Sequence, residues 1–130
     1  MSITNKDSNQ QQIRKVIEDW AQAIREMNME GILAAHPTDV LMFDVAPTLQ
    51  AKGIAAYQKT WKLFFQYSKG GKGSFDFVDL QITAGNTVAF CHALLIIGGD
   101  QPQCRLTLGL KKVEGKWLIA HEHHSAPCQL

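Results

Sequence analysis

The hydrophobic positions of this chain change period once, and the change divides it in two. From Asn9 onward, Ile13, Val16, Ile17, Trp20, Ala21, Ile24 and Met27 recur at spacings of three and four, which puts them on one face of a helix. Asn28 ends that helix or caps a short second one through MEGILAAH, and Pro37 stops it. DVLMFDVAP is too short for a helix, is rich in Val, Leu and Phe, and ends in proline, so it predicts a short strand. Residues 53–68, GIAAYQKTWKLFFQYS, return to helical spacing with an aromatic stripe of Tyr57, Trp61, Phe64 and Phe65. KGGKG then breaks the chain; it lacks the GxxxxGK[ST] spacing of a phosphate loop and reads as a connector. Beyond Gly73 the period is two. SFDFVDLQIT turns at Gly85-Asn86 into TVAFCHALLII, and CRLTLGLKKV turns at Glu114-Gly115 into KWLIAHEHHSAP. Helices, one short strand, a helix and about four long antiparallel strands predict an α+β fold, with helices packed on one side of a curved sheet. Residues 1–8 read as a loose polar tail and residues 9–130 as a single domain.

Composition narrows the function classes. The 130 residues are 45% hydrophobic and 19% charged, a balance that argues against disorder. The net charge of +1 offers no basic excess to neutralise phosphates, so nucleic acid is not an expected partner. Runs such as ALLII at 93–97 are far short of a membrane span, and the polar start MSITNKDSNQQQ lacks the apolar stretch of a signal peptide; a cytoplasmic location is expected. Cys91, Cys104 and Cys128 form no CxxC pair, which suits reduced thiols, with Cys91 a small buried hydrophobe.

The last hairpin carries the densest chemistry: His121, Glu122, His123 and His124 in succession. Histidine titrates near neutrality and is the commonest metal ligand. Which of these side chains share a face depends on the turn at Glu114-Gly115. A two-residue loop needs positive φ at both positions, which disfavours Glu114, so a three-residue loop is expected. Lys111 then faces Trp117, Thr107 faces His121 and Arg105 faces His123. One face carries Arg105, Thr107, Trp117, Ile119, His121 and His123; the other carries Leu106, Leu108, Leu110, Leu118, Ala120, Glu122 and His124. A two-residue loop would shift the pairing by one and take Arg105 off the histidine face.

FDVAP, YQKTWKLFF, VAFCHALL, RLTLGLKKVEGKW and above all WLIAHEHHSAP resemble the SnoaL-like, ketosteroid isomerase-like branch of the NTF2-like superfamily, over roughly residues 9–127. The resemblance implies a cone-shaped α+β barrel, in which three N-terminal helices close over a strongly curved antiparallel sheet and leave an apolar cavity open at one end. It also implies a homodimer formed through the outer face of the sheet, a use that suits the leucine-rich face, for which a second core layer is the alternative. Metal and cofactor are not expected.

Within that frame Asp44, which follows an apolar strand and precedes a proline turn, is the candidate general base at the cavity mouth, its pKa raised by burial. The alternative is a turn aspartate bonded to nearby backbone. His121 and His123, two apart on a strand, project to the same side, and with Arg105 they would stabilise an oxyanion or return a proton. Together with His92 they could instead supply three imidazoles to a zinc ion. Tyr57, Trp61, Phe65, Phe77, His92, Thr107 and Trp117 complete the expected pocket. His124 is expected to point the other way, toward solvent or an interface, and His36 to end a helix. The expected function is proton transfer beside the carbonyl of a small apolar ligand: isomerisation, cyclisation or dehydration. A non-catalytic binding or dimerisation module is the alternative.

Overall fold

A computed structural model describes residues 5–129 of the chain. The apolar stripe of the N-terminal segment builds α1, Asn5–Arg25, and buries Ile13, Ile17, Trp20, Ala21 and Ile24. Residues 5–8, expected as tail, belong to this helix; the rest of the expected tail lies outside the described residues. Met27 leaves the stripe: it follows the helix end in a left-handed conformation, φ 57°, and is exposed. Asn28 caps α2, Met29–Ala34, its side chain accepting from the Gly31 amide at 3.2 Å. The chain then forms β1 (Leu41–Phe43), β2 (Ala51–Lys52) and α3 (Ile54–Phe65), which buries Tyr57 and Trp61. Four long strands follow: β3 (Asp76–Ala84), β4 (Val88–Ile96), β5 (Cys104–Val113) and β6 (Lys116–Ser125).

The strands form one curved, open sheet in the order β2-β1-β6-β5-β4-β3. All neighbours are antiparallel except β1 and β6, which run parallel with Leu41 beside His121 and Phe43 beside His123. The α+β class and the helix-on-sheet layering are as the sequence predicts. The inner sheet face and the helices share one core, centred on Trp20, Tyr57, Phe75, Leu95, Leu106, Leu108 and Ile119. One end is closed by Asn9: its Oδ1 accepts from Lys112 Nζ at 3.0 Å and Trp117 Nε1 at 3.2 Å, and its Nδ2 donates to the Gly85 carbonyl. No helix among the described residues is long and apolar enough to cross a membrane.

Candidate functional site

The β5–β6 hairpin departs from the expected register in two steps. Its loop has two residues, Glu114 at φ 51° and Gly115 at φ 79°, and Val113 pairs with Lys116. Glu114 therefore accepts the left-handed conformation that disfavours it, because the two-residue turn matches the twist of the long strands. A bulge then follows: Leu110 pairs with Ile119 but Gly109 pairs with His121, leaving Ala120 unpaired. The bulge reverses the phase of β6. Before it Trp117 and Ile119 point into the core; after it Glu122 and His124 do.

This corrects the expected faces. Leu106, Leu108 and Leu110 line the core, so the leucine-rich face is not the outer one. Arg105, Thr107, His121 and His123 do share a face, but it is the outer face; Arg105, Thr107 and His123 are exposed and His121 is half-buried. Arg105 donates to Ser125 Oγ, His121 Nδ1 donates to the Leu41 carbonyl, and the His121 and His123 rings pack against Phe43. His92 lies on the same outer face, paired with Thr107. Among the described residues no three His, Cys, Asp or Glu side chains come close enough together to hold a metal ion.

What the bulge turns inward is a buried polar network. The Glu122 carboxylate is 0% exposed. Its Oε2 accepts from His36 Nε2 and from the Tyr57 hydroxyl, both at 2.5 Å, and its Oε1 accepts from His124 Nε2 at 2.9 Å. His36 sits just past α2, and its Nδ1 donates to the Ile32 carbonyl at 2.8 Å. A carbonyl can only accept, so Nδ1 is the donor to Ile32 and Nε2 is committed to the Glu122 carboxylate. Trp20 Nε1 donates to the Tyr57 oxygen at 3.1 Å. Burial alone would raise the Glu122 pKa, but donors from His124 and His36 outweigh it and hold the carboxyl at about 2. The Tyr57 phenol is pushed well above its usual range by burial and by the neighbouring carboxylate, against the pull of the Trp61 and Trp20 indoles. Tyr57 therefore stays protonated as a donor to Glu122.

The network ends in a cavity of about 400 Å³, within the range of small-molecule sites. It opens at the end of the sheet opposite Asn9, walled by Met42, Trp61, Phe64, Phe75, Ile97 and Cys104, with Asp44 and the following residues on one rim. His124 joins cavity and network. Its Nε2 is held by Glu122, and its Nδ1 has no partner among the described residues. Val45, Leu63 and Tyr67 on the rim are large and exposed. Burial and then the nearby Asp44 charge raise the Cys104 thiol, and burial pushes Cys91 up to about 12, so neither is a ready thiolate.

The expected site residues thus divide. Asp44 and Trp61 line the cavity, and Asp44 Oδ1 also accepts from the Val45 amide at 2.8 Å, the turn bond its position suggested. Tyr57 lies behind the wall in the network. Phe65 packs on Trp61, and Phe77 stacks on Trp20, neither lining the cavity. Trp117 is at the closed end, bonded to Asn9. Arg105, Thr107, His92, His121 and His123 are outside. His124, Glu122 and His36 are the residues that sequence reasoning missed. Gly109, a glycine inside an otherwise alternating strand, was the available signal for the bulge that turns Glu122 and His124 inward.

Residues 13–129 match the SnoaL-like domain family. A search of curated proteins found no match. Among solved structures, an NTF2-like protein of unknown function from Pseudomonas putida is 33% identical, with a TM-score of 0.83 over 95% of this chain and 89% of that one. A proposed scytalone dehydratase from Novosphingobium aromaticivorans is 17% identical, with a TM-score of 0.76 over 95% and 87% of the two chains. A ketosteroid isomerase-like protein from Erwinia carotovora atroseptica is 14% identical, with a TM-score of 0.71 over 91% and 95%. At those lower identities the likeness speaks for the fold alone. The match across nearly the whole chain, with the helices, the curved sheet and the 33% identical relative, makes this chain a member of the SnoaL-like domain family of the NTF2-like superfamily.

Proposed function

We propose that the cavity binds a small, mostly apolar carbonyl compound and that His124 moves a proton beside its carbonyl, the step shared by isomerisation, cyclisation and dehydration. One observation carries this reading: a single imidazole belongs both to the cavity wall and to a buried carboxylate. Because Glu122 accepts from Nε2, a neutral His124 keeps its lone pair on Nδ1, the nitrogen free to meet a ligand. The Glu122 charge would stabilise the imidazolium formed when Nδ1 takes an α-proton, while His36 and Tyr57 keep the carboxylate from turning away. The imidazolium returns that proton to the ligand, and Asp44, the one carboxylate of the cavity wall among the described residues, is a second acid–base group at the rim.

The test is exchange of α-protons on a panel of ketones in deuterated water. Glutamine at position 124 can still donate to Glu122 but cannot take a proton. His124→Gln is expected to slow exchange by about 100-fold or more, as loss of a general base does, and Asp44→Asn by less. Equal rates in wild type and His124→Gln would remove His124 as the base.

Binding without turnover is the second reading. It is favoured by the bond that Asp44 Oδ1 accepts from the Val45 amide, which occupies the second acid–base group of an otherwise apolar wall. A ketone that raises the melting temperature while exchanging no faster than in buffer would decide for it.

The outer sheet face supports a homodimer, through residues other than the leucines first expected. Val88 and Phe90 on β4 are 63% and 52% exposed, beside the half-covered Leu94. Light scattering is expected to give twice the chain mass, and Phe90→Glu to give a monomer. A monomeric wild type at all concentrations would contradict this.

A further inference from the structure

The cavity does not end at its apolar rim. A groove of about 570 Å³ continues from it, sharing Phe64, Tyr67 and Ile97 with the cavity and running along the Lys69–Gly73 loop. Lys69 and Lys72 line this groove. Neither makes an ion pair among the described residues. Their amide nitrogens also find no protein acceptor there.

Two acids near the loop carry other hydrogen bonds. Asp76 Oδ1 pairs with Arg25 Nη1 at 3.2 Å, and its Oδ2 accepts from the Gly73 amide at 2.5 Å. Glu26, which borders Lys72 on the far side of the loop, accepts from Gln22 Nε2 at 3.1 Å. Asp44 is on the rim of the cavity and not in the groove.

The loop that displays the lysines is anchored. Gly71 N donates to the Arg25 carbonyl at 2.9 Å, Ser74 N to the Gly71 carbonyl at 3.1 Å, and Gly98 N to the Gly73 carbonyl at 2.7 Å. A Cβ at Gly73 would stand 2.9 Å from the Gly99 carbonyl oxygen, so glycine is what lets this loop close against the β4–β5 turn. The result is an apolar chamber joined to a groove that presents two unpaired cations from a fixed backbone.

We infer that this groove is a subsite for an anion, and that the ligand is an amphipathic acid: an apolar carbonyl-bearing body in the cavity, and a carboxylate or phosphate held by Lys69 and Lys72. The inference rests on the reading of the cavity as an apolar binding site and adds to it the class of ligand.

Displacement of the neutral fluorophore N-phenyl-1-naphthylamine tests it, with octanol, octanoate and octyl phosphate as competitors against wild type and a Lys69→Gln/Lys72→Gln double variant. At low salt the wild type is expected to prefer one or both acids over octanol by about tenfold, or 1.4 kcal/mol. Whichever acid is preferred names the anion. Molar salt and the double variant should each abolish the preference and leave octanol unchanged. Equal displacement by all three compounds in wild type, or a preference that survives in the variant, overturns the anion subsite and leaves the apolar cavity standing. Failure of the fluorophore and of every competitor to bind overturns both.

Discussion

Replacing Glu122 by leucine is expected to destabilise the protein by about 3–5 kcal/mol, the usual cost of removing one partner from a buried charged cluster. The carboxylate accepts three hydrogen bonds, and each donor would lose its acceptor inside the core. His36 suffers most, because its other nitrogen is fixed on the Ile32 carbonyl and the ring is enclosed. Urea titration measures the loss; a wild-type midpoint in the leucine variant would mean that the carboxylate does not hold the network together. The same group sets an acid limb. Its folded pKa of about 2 lies below the ordinary value of 4.5, so the folded state binds this proton less tightly than the unfolded chain. The Glu122 contribution is then complete above pH 4.5 and is lost as the pH falls toward 2, amounting to roughly 3 kcal/mol. Glu122→Gln, which cannot titrate, should flatten that part of the stability curve; an unchanged slope would assign acid unfolding to other carboxylates.

Much of the fold was legible because periodicity reports burial directly. The stripe from Ile13 to Ile24 and the Tyr57–Trp61 spacing name the face that is buried, whereas the alternation of β5 separates its two faces without saying which one is inward. The candidate site was harder to read because it depends on a single inserted residue. Alternation in β6 is interrupted at Ala120, and reading straight through it sends His121 and His123 inward and His124 outward, the reverse of what the structure has. A one-residue change of phase flips every later side chain, so an error at the turn and an unseen bulge together decide the chemistry. His36 and Tyr57 were invisible as partners for a different reason. They meet Glu122 across sequence separations of 86 and 65 residues, which no local pattern encodes. Asp44 could be recognised as a rim residue because the strand before it and the proline after it are local signals.

Trp20→Ala is expected to cost about 3–5 kcal/mol, the range for truncating a fully buried tryptophan. Trp20 is the hub through which α1 meets the rest of the site. Its ring lies edge-on to Phe75 at 5.4 Å and to Trp61 at 6.3 Å, two residues of the cavity wall, and stacks on Phe77. Alanine would leave a void directly behind that wall. The indole also supplies the hydrogen bond to Tyr57, so volume and donor are removed together. Trp20→Phe separates them: it keeps most of the apolar ring and drops the N–H, and should cost about 1–3 kcal/mol. The order alanine worse than phenylalanine follows if packing dominates, because the phenol oxygen retains its proton and its own bond to Glu122 in both variants. Thermal and urea unfolding of the two proteins measure the order. Equal losses would make the indole N–H, and not ring volume, the property of Trp20 that the core depends on; a loss below about 1 kcal/mol in the alanine variant would mean that the helices close over the gap and that the cavity wall does not rest on this residue.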